Sequence, residues 1–255
     1  MKYLFSDWAR VSSRIQKSHL TFLFFDYDGT LTPIAATPEL ARIPASVKSL
    51  LKKLKKTPGF KLAIISGRSL ADVKSMVGVK GIVYAGNHGL EIEDEGRNIL
   101  KSGSGTTLKK AKFSLKKALT HIKGARVEDK GCTLSVHFRL VKPSQRMLVK
   151  KIFNSITAPY VLSGRFKTSA GKMVLELRPG IEWDKGKAVL YLLKRYKRAL
   201  PIYTGDDVTD EDAFRVIKKK GMSVFVGTGK KKTGAAYFLK NTRDIKKFIV
   251  RMLEL

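Results

Sequence analysis

The sequence predicts an α/β fold: a doubly wound parallel sheet with an inserted α+β domain. Short apolar runs end in polar, glycine-containing turns at five places, and segments with helical apolar spacing lie between them. That alternation is the mark of strands covered on both faces by helices. A third observation, the loss of the rhythm in the middle of the chain, predicts the insert. The core is expected over 1–90 and 180–255, with the α+β insert over 91–179.

In chain order, the core strands are expected at "LTFLFFD" (20–26), "FKLAIIS" (60–66), "GIVYAGN" (81–87), "LPIYTGD" (200–206) and "MSVFVG" (222–227). Each is apolar throughout, as a strand buried on two faces requires. A helix over 44–56 opens at Pro44 and puts Val47, Leu50, Leu51 and Leu54 on one face. The segments 69–77, 183–196 and 209–220 have the same character. In the insert, "KSGSGTT" (101–107) reads as a turn and 107–122 as a helix. The stretch 132–140 alternates like a half-exposed antiparallel strand, 143–156 reads as a helix, and 160–166 and 171–179 as further strands.

Composition narrows the function classes. The chain has 255 residues, of which 43% are hydrophobic and 28% charged, so a sizeable core is expected. No stretch approaches the roughly 20 apolar residues a membrane-spanning helix needs. The first residues, "MKYLFSDWARVSSRIQ", carry Asp7 and two arginines without a long apolar region, unlike a signal peptide. The single cysteine, Cys132, excludes an intramolecular disulfide and fits a reducing compartment. A cytoplasmic protein with no membrane partner, acting as a monomer, is expected.

The charge balance is lopsided, 51 Lys+Arg against 21 Asp+Glu, a formal +30. The lysines fall in short runs along the whole chain, with few aromatics among them. This distribution reads as solvated helix faces, sufficient for weak, nonspecific binding of RNA or DNA at low salt. The same positive surface would draw in an anionic substrate.

In an open α/β sheet, ligands bind beyond the carboxyl ends of the strands. The residues closing the expected strands are therefore neighbours in space. They are Asp26 and Asp28; Ser66, Gly67 and Arg68; Asn87 and His88; and Asp206, Asp207 and Asp210, with Lys185 opening the helix before the fourth strand. Several carboxylates with one lysine and one hydroxyl suit Mg²⁺ and a phosphate, since Mg²⁺ prefers oxygen ligands.

"DYDGTL", "ISGR", "DKGKA" and "GDDVTDEDAF", in that order, resemble the four motifs of the haloacid-dehalogenase-type phosphatases. The insert between the second and third motifs matches that superfamily's capped branch. More narrowly, "GDDVTDEDAF", "GNHGLEI" and "VLELRPG" resemble the trehalose-6-phosphate phosphatases, and the likeness runs from about residue 20 to 240. The resemblance implies a sugar-phosphate substrate and Mg²⁺. It makes Asp26 the nucleophile that forms an aspartyl-phosphate, and Asp28 the acid and base that serves the leaving sugar and then water. Ser66 would hydrogen-bond the phosphoryl group, and Lys185 would neutralise it and orient Asp26. Asp206 would hold Mg²⁺ with the Asp26 carboxylate and the Asp28 carbonyl, supported by Asp207 or Asp210. Gly67, Arg68, Asn87 and His88 would lie at the substrate.

In the cap, the resemblance assigns the sugar to Glu128, Lys130, Arg139, Lys172 and Glu176, groups suited to charge-assisted hydrogen bonds. Each assignment has a structural alternative. Ser66 could cap the following helix, Arg139 and Glu176 could pair across strands, and His88 could be a packing residue. A different sugar-phosphate phosphatase, of the sucrose-phosphate or mannosyl-phosphoglycerate type, is the nearest rival reading. A basic nucleic-acid-binding protein on the same scaffold is the reading from another class.

Overall fold

In the computed structural model, which describes residues 1–101, 105–229 and 232–255, the chain divides into two units. The larger comprises Met1–Lys101 and Trp183–Leu255, the smaller Ser102–Glu182. The larger unit runs β1 (Lys2–Tyr3), α1 (Trp8–Gln16), β2 (Thr21–Phe25), α2 (Ala45–Lys56), β3 (Phe60–Ile65), α3 (Leu70–Val77), β4 (Val83–Gly86), β5 (Glu91–Asp94) and β6 (Arg97–Lys101). The smaller unit follows with α4 (Gly105–Leu119), β7 (Arg126–Asp129), β8 (Leu134–His137), α5 (Arg146–Leu162), β9 (Phe166–Gly171) and β10 (Val174–Pro179). The chain then completes the larger unit with α6 (Lys185–Arg195), β11 (Leu200–Gly205), α7 (Glu211–Ile217), β12 (Met222–Val226), β13 (Tyr237–Leu239) and α8 (Thr242–Leu253).

Among the described residues, the larger unit's sheet has the order β1-β13-β12-β11-β2-β3-β4-β5-β6, parallel from β1 to β4 and antiparallel at β5 and β6. Successive residues of the central strands leave opposite faces. Leu23 and Phe25 join one apolar layer with α1, α2, α3 and α8, whereas Phe22 and Phe24 join the other with α6 and α7. Strand β3 divides the same way, Leu62 and Ile64 against Ala63 and Ile65. The strands are apolar throughout because both faces are covered. The chain leaves β2 toward β3 on one side and returns to β11 on the other, so the sheet's switch point lies between β2 and β11.

The smaller unit is a four-stranded antiparallel sheet, β7-β8-β10-β9, carrying α4 and α5. Leu134 and Val136 of β8 and Leu175 and Leu177 of β10 meet Leu108, Leu115, Val149 and Phe153 of the two helices. This is the α+β insert that the broken rhythm predicts.

Two expectations are corrected. Residues 91–101, read as the start of the insert, are β5 and β6 and extend the larger sheet. The reversal that places them there comes from three successive left-handed residues, Asn87 (φ 50°), His88 (φ 58°) and Gly89 (φ 93°), which turn the chain back beside β4. The second correction concerns 160–166, read as a strand. Its first residues finish α5, and strand pairing begins only at Phe166. The buried stripe Val149, Phe153 and Thr157 continues at helical spacing into Tyr160, and burial outweighs the cost of Pro159 so close to the helix end. The turn expected over 101–107 falls, at 102–104, outside the described residues; Lys101 ends β6 and Gly105 begins α4. No helix among the described residues is long and apolar enough to cross a membrane.

Tyr84 fastens the loop that leads into β4. Its hydroxyl accepts from the Val79 amide at 3.1 Å and donates to the Val79 carbonyl at 2.8 Å. Burial pushes the phenol up to about 12, with the nearby Glu93 charge adding to it. A raised folded pKa means that this stabilisation is whole below the unfolded value of 10.0 and is lost as pH climbs toward about 12. Tyr84→Phe should lower the unfolding free energy by about 1–3 kcal/mol at about pH 8. In urea unfolding, the gap between the two proteins should narrow above about pH 10; a gap that stays constant to about pH 12 would contradict the account.

Candidate active site

The parallel register brings the predicted residues to one edge. Phe25 pairs with Ile64 of β3 and Thr204 of β11, so Asp26, Ser66 and Asp206 follow adjacent strand ends. The Asp26 amide donates to the Thr204 carbonyl at 2.9 Å, and the Ser66 amide to the Ala85 carbonyl at 2.9 Å. These ladder continuations hold the loop starts in place.

Three buried carboxylates, Asp26, Asp206 and Asp210, offer oxygens within 4.8 Å of one another. One ammonium sits among them. Lys185 Nζ, 3% exposed, donates to Asp26 Oδ1 at 2.7 Å and to Asp210 Oδ1 at 2.7 Å. Asp210 is held further by the Tyr203 hydroxyl at 2.7 Å and the Asp207 amide at 2.9 Å. Burial pushes the Asp26 carboxyl well up, and Asp210 and Asp206 add to this, while Lys185 pulls against them. The lysine, despite its burial, is pushed up by Asp210 and Asp26 and stays charged. The Tyr203 phenol is pushed well up by burial and by Asp210, which keeps it a donor.

Two glycines make this density of carboxylates fit. A Cβ on Gly29, at φ +87°, would lie 2.4 Å from the Asp206 carboxylate, and one on Gly205 would lie 2.2 Å from that of Asp210. The turn after β2 can therefore pass directly beneath Asp206 only as glycine.

Three buried carboxylates against one lysine leave excess negative charge, which a divalent cation would compensate. The donor set is all oxygen, as such an ion requires, so the residues fit a metal ion, with Asp26 and Asp206 its candidate ligands. Asp210 is largely occupied: its oxygens already accept from Lys185, Tyr203 and Asp207. Asp207 and Asp210 form a reciprocal capping box at the start of the turn leading into α7. Of the two supporting carboxylates the sequence offers, Asp210 is in the buried group and Asp207 is a cap.

The acid/base candidate Asp28 is gripped by a fork. Arg68 Nε donates to Asp28 Oδ2 at 2.7 Å and Nη2 to Oδ1 at 2.6 Å, a bidentate pair. The guanidinium lies 5.3 Å from the Tyr27 ring centroid, and the Tyr27 hydroxyl is anchored on the Ala41 carbonyl at 2.7 Å. Ser66 Oγ accepts from the Arg68 amide at 3.1 Å and does not cap α3; Ser69 does so, through the Asp72 amide at 3.1 Å. The sequence puts Arg68 at the substrate; in the structure its side chain pairs with Asp28.

Asn87 is fully buried and donates through Nδ2 to Glu91 at 2.8 Å, bracing the reversal into β5. The His88 ring stands over Gly67, where a Cβ would come within 2.7 Å of it. The following Gly89 carbonyl accepts from Trp183 Nε1 at 2.7 Å.

Within the smaller unit, Glu176 is buried and accepts from Lys130 Nζ at 3.1 Å, Thr133 Oγ1 at 3.3 Å and Ser135 Oγ at 3.1 Å. Glu128 pairs with His137 Nε2 at 2.6 Å. Arg139 donates to the Lys172 carbonyl at 3.3 Å, and Lys130 pairs with Glu176 at 3.1 Å. Sequence reasoning missed Tyr203, Thr133, Ser135 and His137. Tyr203 lies on the same strand face as Gly205, two residues ahead, and a tyrosine beside a glycine-made gap is the one signal that pointed to a buried polar contact.

The fold is shared with a haloacid dehalogenase-like hydrolase solved from Bacteroides thetaiotaomicron, with a TM-score of 0.66 at 16% identity, over 91% of this chain and 99% of that one, and the acidic cluster lies at the sheet's switch point. The family model described as Trehalose-phosphatase matches residues 24–243, and the chain belongs to that family. Among its relatives, "Probable trehalose-phosphate phosphatase 4" of Oryza sativa subsp. japonica is 36% identical over 245 residues, covering 91% of this chain and 65% of the rice protein. "Trehalose-phosphate phosphatase B" of Arabidopsis thaliana is 35% identical over 254 residues, covering 91% of this chain and 66% of that protein. The chain thus spans just under two thirds of the length of these two relatives. The solved C-terminal domain of C. albicans trehalose-6-phosphate phosphatase shares the fold, with a TM-score of 0.82 at 24% identity, over 97% of this chain and 96% of that one.

Two substitutions test the site. Lys185→Met leaves Asp26 and Asp210 buried without their cation and should lower the unfolding free energy by about 3–5 kcal/mol in urea titration. A loss below about 1 kcal/mol would show that the ammonium does not balance them. Arg68→Lys removes the fork and keeps the charge. It should lower kcat for phosphate release about ten- to a hundredfold with KM little changed. A raised KM at constant kcat would return Arg68 to the role of a substrate contact.

Proposed function

We propose that this chain is a Mg²⁺-dependent phosphatase that hydrolyses trehalose 6-phosphate to trehalose and inorganic phosphate. The observation that carries the chemistry is the buried Asp26–Lys185–Asp210 network beside Asp206, with Asp28 held separately by Arg68. Membership in the trehalose-phosphatase family supports the substrate.

Asp26 attacks phosphorus through its free carboxylate oxygen, since Lys185 occupies Oδ1. The P–O bond to the sugar breaks, and Asp28, once it has let one oxygen go from the Arg68 fork and taken up a proton there, gives that proton to the departing sugar oxygen. The aspartyl-phosphate on Asp26 is then attacked by water, whose proton goes to Asp28; the Asp26–phosphorus linkage breaks and phosphate leaves. Lys185 keeps Asp26 oriented through both steps. Ser66, at the neighbouring strand end, is assigned the phosphoryl oxygens, with Gly67 beside it and His88, from the turn after β4, standing over Gly67. Bound Mg²⁺, held by Asp26, Asp206 and the Asp28 carbonyl, would supply positive charge against the phosphoryl oxygens.

Recognition of the disaccharide is assigned, by family resemblance, to Glu128, Lys130, Arg139, Lys172 and Glu176. Lys130 and Glu176 already form a hydrogen-bonded cluster with Thr133 and Ser135, so their polar atoms are positioned in advance. A lone buried cysteine, Cys132, fits a reducing cytoplasm, and a monomer contains every group the reaction uses.

Phosphate release from a panel of sugar phosphates tests this reading, with Mg²⁺ or EDTA, on wild type and Asp26→Asn. Trehalose 6-phosphate should be strongly preferred, EDTA should abolish turnover, and Asp26→Asn should reduce it about 10³-fold or more while the fold is retained. Equal turnover of sucrose phosphate or monosaccharide phosphates would remove the substrate and leave the chemistry.

A further inference from the structure

One feature of the larger unit plays no part in that chemistry. Helix α2 and the loop between α3 and β4 flank an open groove of about 460 Å³ lined by Ser49, Lys52, Lys53, Lys55, Lys56 and Lys80, together with Gly78 and Val79. Lys48 joins them from the preceding helical turn. Two glycines let the ammoniums approach the loop: a Cβ on Gly78 would lie 2.5 Å from Lys48 Nζ, and one on Gly81 2.5 Å from Lys55 Nζ.

Among the described residues, none of these six lysines has a carboxylate within 4.0 Å. Lys61, Lys74, Lys185 and Lys247 of the same unit are each paired with a carboxylate; what sets the groove apart is that six lysines without such a partner meet around it. Spacing makes the repulsion worse, because Lys48, Lys52 and Lys56 follow one another at four-residue intervals on one helix face. The partial negative charge at the end of α2 offsets only the last turn. An anion of high charge density would relieve the remainder.

The lining also says what kind of anion. No aromatic ring lies in the groove for a nucleobase to stack on, and no arginine fork is present. Neither is there an exposed apolar anchor of the sort a protein partner or a membrane would need. What remains is a set of point charges, suited to phosphate groups and little else. We propose that the α2 groove binds a bare chain of phosphates, a linear inorganic polyphosphate.

Calorimetric titration of the whole chain, without Mg²⁺, with tripolyphosphate and a long-chain polyphosphate tests this at about 50 and 200 mM salt. Replacing Lys52, Lys53, Lys55 and Lys56 by Gln should weaken binding at least about tenfold and flatten its salt dependence. A charge-matched control with Lys218, Lys219, Lys220 and Lys246 replaced by Gln should stay within about twofold. Removing like-charge neighbours should leave the groove variant no less stable in urea, so a folding defect is not the cause of its loss. Equal weakening in both variants would assign the binding to diffuse charge and overturn the proposal. So would the absence of binding to wild type at the lower salt. Tighter binding of a charge-matched oligonucleotide, lost in the groove variant, would replace polyphosphate with nucleic acid.

Discussion

The larger unit is organised around one buried ammonium. Lys185 stands between Asp26 and Asp210, close to Asp206, with almost no solvent to screen the carboxylates from one another. Without the lysine this would be like charge concentrated at low dielectric, the most costly arrangement a protein interior holds. With it, the carboxylates become a rigid set. The lysine also links distant parts of the chain, since Asp26 follows β2, Lys185 begins α6 and Asp210 precedes α7. The charge network therefore depends on the parallel sheet having closed, and the closed sheet tolerates its acidic edge because of the lysine.

Geometry at that edge is set by backbone as much as by side chains. Gly29 and Gly205 are the two places where a Cβ would strike a carboxylate, so the crowding of acids is built on absent atoms. Tyr203, immediately behind, turns an aromatic core residue into a hydrogen-bond donor for Asp210. Each partner of Asp210 removes an acceptor site from it. Asp28 is treated differently. It is only part-buried, gripped by Arg68, and tied through the Tyr27 ring to the loop at Ala41. Two carboxylates, two residues apart, thus sit in contrasting environments, Asp26 buried against Lys185 and Asp28 part-buried on the Arg68 fork.

The smaller unit repeats the theme at lower stakes. Glu176 is buried on an antiparallel strand and is compensated by Lys130, Thr133 and Ser135, all from the β7–β8 hairpin. A carboxylate held by three donors from one hairpin is fixed before any ligand arrives. Lysine pairing marks a contrast across the molecule. The buried lysines Lys130 and Lys185 are matched to carboxylates, while the surface lysines of α2 stand without one, and the +30 balance is therefore carried by the surface and not by the core.

The strands of the core were legible because burial on both faces leaves one pattern, an unbroken apolar run, and the acidic residues that end those runs stand out against it. Asp26, Asp206 and Lys185 could be placed together on topology alone. What the sequence left open is where competing local signals are settled by contacts far away in the chain. Residues 91–101 could not be assigned to a sheet from their own composition, because the left-handed turn at Asn87 and His88 decides it. Helix α5 runs past Pro159 because its buried stripe continues. Arg68 grips Asp28 and Asp207 serves as a cap for the same reason. A side chain's spacing tells which edge it reaches, but its partner is chosen among all the groups that folding brings there, and only tertiary packing makes that choice.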